Sequence, residues 1–312
     1  MNFKSLPQLL DFFKDEKTCV AYYEKLRWNG NIVCPHCNSE KPYRTNRGFK
    51  CSNSDCYKKF TCKTGTIFEN TKIPLRIWFA SIFLCTAHKK GISSVQLSID
   101  LNVSQKTGWF ILHRIREMLK KQAPNMVGES KTVESDTTYI GGKEKNRHKK
   151  KRLASPETGL ANDGTKYNKK KIVIGIIERN GKVVLKHISE DTDKNMANFV
   201  KLYVPKGAKL YTDEARCFKK LKSKYFHETV NHSLRVYVQG DVHTNTIENF
   251  WSVLKRGLYG VYHQVSDKHL ERYLNEFSAR FNARHTNPYE NFVTFLSQSE
   301  GGLLYKNLIA ND

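Results

Sequence analysis

No stretch of this chain is apolar for long enough to cross a membrane. The longest run, Ile77 to Ala87, is broken by Ser81 and Thr86 and falls well short of the roughly 20 residues a spanning helix needs. The amino terminus, Met1-Asn2-Phe3-Lys4-Ser5, has neither the apolar core nor the small-residue cleavage site of a secretory signal. Acids are scarce beside bases: 53 Lys+Arg against 30 Asp+Glu leave a net charge of +23. That imbalance turns the chain toward polyanions, nucleic acid first and an anionic membrane surface second. Together these absences predict a cytoplasmic protein. Disulfides do not persist there, so the eight cysteines read as metal ligands or free thiols.

The cysteines sort by spacing. Cys34-Pro35-His36-Cys37 is followed thirteen residues later by Cys51-Ser52-Asn53-Ser54-Asp55-Cys56. Two closely spaced pairs joined by a hairpin-length link form the pattern of a zinc ribbon. Each pair sits on a tight knuckle, and the four thiolates converge as a tetrahedron. The second pair is wider than the usual two-residue gap. His36 reads as an exposed knuckle residue, Cys62 as an outside candidate ligand, and Cys85 and Cys217 as buried small hydrophobes.

Around the ribbon the pattern is helical. Short helices are expected at Pro7–Phe13 and Glu16–Trp28, with Asn29-Gly30 as the stop, and a buried helix at Pro74–His88. Ile92 to Leu119 reads as a helix-turn-helix. Ser94–Leu101 is its first helix, Asn102-Val103 the turn, and Ser104 the cap of a second helix, Gln105–Leu119. That second helix is expected to expose Gln105, Lys106, His113, Arg114 and Arg116 toward DNA.

Beyond a polar linker, Gln122–Ser130, the texture changes to strands. Thr132–Ile140, Ile172–Glu178 and Lys182–Ser189 are β-branched, and Arg179-Asn180-Gly181 makes a hairpin turn between the last two. Between the first two lies Lys143–Lys171, with eleven Lys+Arg against three acids. It is expected to be a solvated, mobile basic loop able to meet phosphate. A helix over Asp193–Tyr203, capped by Asp, a strand over Ala208–Thr212 and a further strand within Glu228–Gln239 follow. The order of three strands, helix, strand, short strand, helix matches an RNase H-like mixed α/β core. Ser266 starts a long helix whose core face is Leu270, Tyr273, Leu274, Phe277 and Phe281. Its basic face is Lys268, His269, Arg272, Arg280 and Arg284. A closing helix is expected around Asn291–Gln298. The domain reading is residues 1–30 helices, 31–70 ribbon, 71–121 helix-turn-helix, 130–260 catalytic core and 261–312 a helical extension.

The last helix of the core is Asn245–Gly257. Ile247, Phe250, Trp251 and Leu254 make its apolar face, and Glu248, Ser252 and Lys255 its polar one. Lys255-Arg256 fall in the last turn, where cations suit the dipole, and Gly257 is the expected stop. In this fold Asp136 lies on the first strand, Asp213 at the end of the fourth, and Glu248 on the helix beside them. Three carboxylates placed there can bind two hard divalent cations, Mg²⁺ or Mn²⁺, for an in-line phosphoryl displacement.

These segments resemble the DDE transposases of bacterial insertion sequences, in the branch with a zinc ribbon and helix-turn-helix ahead of an RNase H-like core. The similarity runs through the ribbon cysteines, Thr64-Gly65-Thr66-Ile67-Phe68, Asp136 to Gly142, Tyr211-Thr212-Asp213, Val230-Asn231-His232, His243 to Gly260, His263 and Lys268 to Arg284. It implies that Asp136, Asp213 and Glu248 are the catalytic triad and that Lys255 contacts a DNA phosphate, with Arg256 beside it. Thr137 stands where related sequences often carry a second acid. Glu134, on the same strand face as Asp136, and Asn245 are then possible neighbours of the metal site. Double-stranded DNA (inverted-repeat ends and target), a homodimer or larger assembly on DNA, and a nucleoid-associated bacterial location are what the resemblance implies. The rival readings are a non-catalytic ribbon and helix-turn-helix regulator, and a nuclease or resolvase on the same core.

Overall fold

A computed structural model describes residues 3–122, 124, 126–128, 132–142, 144–155, 160–164, 170–190, 192–212, 225–229 and 240–310. The chain divides into two compact units. One comprises residues 1–123, 261–263 and 275–312, the other 124–260 and 264–274. The last of the boundaries, between Leu274 and Asn275, falls inside a helix.

The first unit starts with α1 (Leu6–Phe12) and α2 (Glu16–Trp28), the latter capped by Asp15 and closed by left-handed Asn29. A three-stranded antiparallel sheet follows, β1 (Pro42–Thr45), β2 (Gly48–Cys51) and β3 (Lys59–Phe60). Next comes α3 (Leu75–Ala87), buried almost all round. Helix α4 (Ser94–Leu101) leads through left-handed Asn102 into α5 (Gln105–Leu119), and Ser93 and Ser104 cap the two helices with side-chain bonds to Gln96 N and Thr107 N. The helix-turn-helix thus sits where the spacing predicts it.

The second unit is built on β4 (Val133–Ile140), β7 (Lys171–Glu178), β8 (Val183–Ile188), β9 (Lys209–Thr212) and β10 (Phe226–Thr229). The sheet order is β10-β9-β4-β7-β8. β4, β7 and β8 form an antiparallel meander, while β9 runs parallel to β4 and β10 parallel to β9. This five-stranded order, with the first strand in the centre, is the RNase H-like arrangement. Helix α6 (Asp193–Tyr203) covers one face, where Met196, Phe199 and Val200 pack with Val133, Ile174 and Ile176. Its cap is Thr192, which accepts from Asn195 N, rather than the aspartate. Helix α7 (Asn245–Gly257) takes the other face, against β4 and β7.

Two sequence expectations change here. Residues 144–164 contain a small antiparallel pair, β5 (Leu153–Ser155) and β6 (Leu160–Ala161), rather than loop alone. Arg152 donates to the carbonyls of Lys145 and Arg147, and Asn162 Nδ2 to that of Lys149, stapling a turn that six basic side chains would otherwise push open. The α-helix does end at Gly257, but that glycine is buried and the chain does not turn away: it continues into a π-helical turn, Leu258–Tyr262.

The chain returns through α8 (Asp267–Asn282), α9 (Pro288–Ser297) and α10 (Tyr305–Ile309). Phe292, Phe295 and Leu296 of α9 join the core of the first unit around α3. Ile67 N donates to Ser299 O at 2.8 Å and Gly301 N to Gly65 O at 2.8 Å. The closing segment is therefore part of the first unit's core and not a separate extension. Arg280 belongs to that interior: it is 8% exposed and pairs with buried Glu276, so it leaves the basic face expected of α8.

Candidate metal centres and nucleic-acid contacts

The ribbon brings four sulfurs together. The Sγ atoms of Cys34, Cys37, Cys51 and Cys56 all lie within 4.8 Å of one another. Cys34 and Cys56 are 3.9 Å apart and Cys37 and Cys51 3.5 Å. A tetrahedron of thiolates at the usual zinc–sulfur distance of about 2.3 Å has edges of about 3.8 Å, so the donor set fits Zn²⁺. Both knuckles are made alike: the residue after the second cysteine of each pair is left-handed, Asn38 at φ 57° and Tyr57 at φ 49°. The wider second gap is absorbed by Asn53, whose Oδ1 accepts from Asp55 N and whose carbonyl accepts from Cys56 N and Tyr57 N. Cys62 is not a ligand. It is buried in the helical core, and burial pushes its thiol up to about 11. Cys85 is likewise buried, as expected, while Cys217 lies outside the described residues.

The second site gathers on β4. Asp136 is half-buried on its central stretch. Its Oδ1 accepts from Thr137 N at 2.7 Å and its Oδ2 from the Trp251 indole Nε1 at 2.9 Å. Trp251 is on α7, and Glu248 lies three residues earlier on the same helix, about 4.5 Å along its axis. Glu248 is exposed, and its Oε1 accepts from Thr244 Oγ1 at 2.8 Å. Asp213 lies outside the described residues. The residue before it, Thr212, pairs in register with Ser135, the residue before Asp136.

Glu134 has a different role from a metal ligand. It is fully buried, and its carboxylate accepts from Arg179 Nε at 2.7 Å, Thr246 Oγ1 at 2.8 Å, Thr246 N at 2.9 Å and Ile247 N at 3.0 Å. His243 Nδ1 is 3.4 Å away. The last two backbone donors are first-turn amides of α7, which any helix leaves without internal partners. A carboxylate from the central strand therefore caps α7 from more than a hundred residues away and complements the helix dipole. Asn245 is exposed at the first position of that helix.

The expected DNA contacts divide. Lys255 is half-exposed and Arg256 exposed in the last turn of α7, with Arg256 Nε bonded to Ser252 O at 3.2 Å. Gln105 and Lys106 are exposed at the start of α5. Arg114 is not available: it is 3% exposed, and its guanidinium donates to the carbonyls of Leu303, Ile67 and Glu69. His113 and Arg116 are buried as well. The helix turns these side chains inward because the closing segment and the linker after the ribbon supply carbonyls and Glu276 supplies a carboxylate. None of those partners is visible from the spacing of α5 itself.

An RNase H-like sheet with acids on its central strand and on the helix beside it, joined to a four-cysteine ribbon and a helix-turn-helix, defines a class of DNA-processing protein. Residues 128–282 match the profile of the ISXO2-like transposase domain and residues 14–64 that of the transposase zinc-ribbon domain. The chain belongs to this family of DDE transposases of insertion sequences. It is 28% identical over 278 residues to the uncharacterized protein in transposable element ISH50 of Halobacterium salinarum, spanning 86% of this chain and 91% of that one. Among solved structures it is similar to the Mos1 strand transfer complex, at 16% identity and a TM-score of 0.29 over 74% of this chain and 81% of that one. The pre-cleavage Mos1 transpososome matches at 15% identity and a TM-score of 0.27, over 74% of this chain and 82% of that one. The fold assignment rests on the strand order itself. Among the described residues no helix is long and apolar enough to cross a membrane.

Proposed function

We propose that this transposase cleaves DNA strands at the ends of its element and joins the freed 3′-hydroxyl to target DNA. What supports this most is the meeting of β4 and α7 at Asp136, which sets Glu248 one helical turn from the residue bonded to it. Asp136, Asp213 and Glu248 would hold two Mg²⁺ or Mn²⁺ ions: oxygen donors suit these hard cations. Bound there, the cations would supply charge stabilisation for an in-line phosphoryl displacement. Water attacks the phosphorus at the element end, and the 3′-oxygen leaves as a hydroxyl. That hydroxyl then attacks a target phosphodiester, forming one new bond and displacing the target's own 3′-oxygen. Lys255 and Arg256 contact the backbone near the reacting phosphate. Gln105 and Lys106, with the ribbon, read and grip the double-stranded ends. Two ends must be brought together, so the working form is a homodimer or larger, in the bacterial cytoplasm on the nucleoid.

The test is incubation of the purified chain with Mg²⁺ and an end-bearing duplex. Wild type nicks and joins, whereas Asp136→Asn and Asp213→Asn do neither. Equal cutting by either variant sinks the proposal, and cutting without joining makes the chain a nuclease. The ribbon is checked separately. Metal analysis is expected to give one zinc per chain, and chelation to unfold the ribbon, since structural zinc sites contribute about 10–16 kcal/mol to folding.

A further inference from the structure

We infer that the Trp251 indole positions the Asp136 carboxylate for cation binding. The inference rests on the function proposed above and assigns a positioning residue to it. Trp251 is 4% exposed, and its Nε1 lies 2.9 Å from Asp136 Oδ2. An indole N–H only donates, so the Asp136 oxygen is the acceptor. The Thr137 amide holds the other oxygen at 2.7 Å. Two donors, one on each oxygen, fix the plane of a group whose terminal torsion is otherwise soft.

The strand next door makes room for this bond. Gly175 is the register partner of Asp136 across the β4–β7 ladder. A Cβ on Gly175 would stand 2.5 Å from Trp251 Cη2 and 2.8 Å from Cζ2. Its neighbours in β7, Ile174 and Ile176, are β-branched and fully buried. Glycine inside a buried strand weakens it and marks a close approach, and what approaches here is the indole. The same bond joins the Glu134 cap in tying the strand that carries Asp136 to the helix that carries Glu248. Partners that orient a ligating carboxylate typically matter 10- to 100-fold in metal affinity or activity.

Trp251→Phe keeps a ring in place and removes the N–H. It is expected to weaken Mn²⁺ binding to the intact chain, measured by calorimetry without DNA, about 10- to 100-fold, with cleavage recovering at high Mn²⁺. Gly175→Ala displaces the ring and is expected to weaken binding similarly. A third measurement uses the wild-type chain and stands whatever the variants' stability. Its four tryptophans give four indole N–H resonances, and Mg²⁺ is expected to move that of Trp251 and not those of Trp28, Trp78 or Trp109. Asp136→Ala abolishes that response. Wild-type Mn²⁺ affinity in Trp251→Phe, or a Trp251 resonance indifferent to Mg²⁺, overturns the inference while leaving the transposase reading intact if wild type still cleaves. A wild type that neither binds Mn²⁺ through Asp136 nor cleaves overturns both.

Discussion

Helices α5 and α7 are both amphipathic, and both carry neighbouring cations in their second halves: Arg114 and Arg116 on one, Lys255 and Arg256 on the other. In α5 the pair is buried; in α7 Lys255 is half-exposed and Arg256 exposed. The difference lies in what surrounds each helix. α5 is enclosed by the helical core, and its arginines find acceptors inside: Glu276 for Arg116 at 2.6 Å and the Leu303, Ile67 and Glu69 carbonyls for Arg114. α7 lies on one face of a sheet, and only its apolar side is enclosed. A basic side chain on an amphipathic helix thus becomes a structural tie or stays at the surface according to whether an acceptor waits inside.

The comparison breaks most visibly at Arg116. Glu276 is fully buried between Arg116 and Arg280 and accepts from Tyr262. Burial alone would raise its carboxyl, but Arg280 and Arg116 beside it hold it below its ordinary value. A depressed carboxylate contributes stability that is present above the unfolded value and lost as pH falls through the folded one. Arg116→Met is expected to cost about 3–5 kcal/mol in urea unfolding and to move the acid limb to higher pH. If it stays stable and loses DNA binding instead, α5 presents Arg116 to DNA after all.

Arg114 is the next case. Its guanidinium is bonded to backbone carbonyls, with the Phe110 ring 4.6 Å away; burial lowers its basicity, and the Glu69 charge offsets that only in part. Arg114→Ala leaves those carbonyls buried without donors and is expected to cost about 1–3 kcal/mol. Affinity for an end-bearing duplex, measured well below the unfolding midpoint, should not change. A loss of affinity without loss of stability would restore Arg114 as a DNA contact.

The same contrast explains what could be read in advance. Cys34, Cys37, Cys51 and Cys56 were legible because a ribbon is local: two knuckles of a few residues carry the geometry. The helix-turn-helix was legible for the same reason, through Ser104 and Asn102. The placement of Asp136 on the central strand and of Glu248 on the helix beside it was legible from strand order and the face of one helix. Burial of Arg114 and Arg116 was not, because their partners come from the far end of the chain or from the linker after the ribbon; Arg280 pairs with Glu276 on its own helix, but the core around α3 that encloses it is not visible from α8. Nor was the work of Glu134. It alternates with Asp136 on one strand face, and only the arrival of α7 separates a saturated cap from a half-buried carboxylate. Gly175 opposite Asp136 did carry a signal, a lone glycine in an isoleucine-rich strand, and its meaning depended on Trp251.

Lys255 and Arg256 test the other half of the comparison, with the smallest expected effects. Both stand outside the core, so alanine at either is expected to leave stability within about 0.5 kcal/mol. Each phosphate contact removed should flatten the salt dependence of duplex affinity by about 0.9 in the log–log slope. The two should then part. Lys255 shares the helical face of Glu248 two turns on, so Lys255→Ala should also slow cleavage under saturating DNA. Arg256 is turned about 100° further round the helix and is held by the Ser252 carbonyl, so Arg256→Ala should change affinity alone. A salt slope unmoved by both, with lowered stability, would make these cations ties of the α5 kind and remove α7 from the DNA surface.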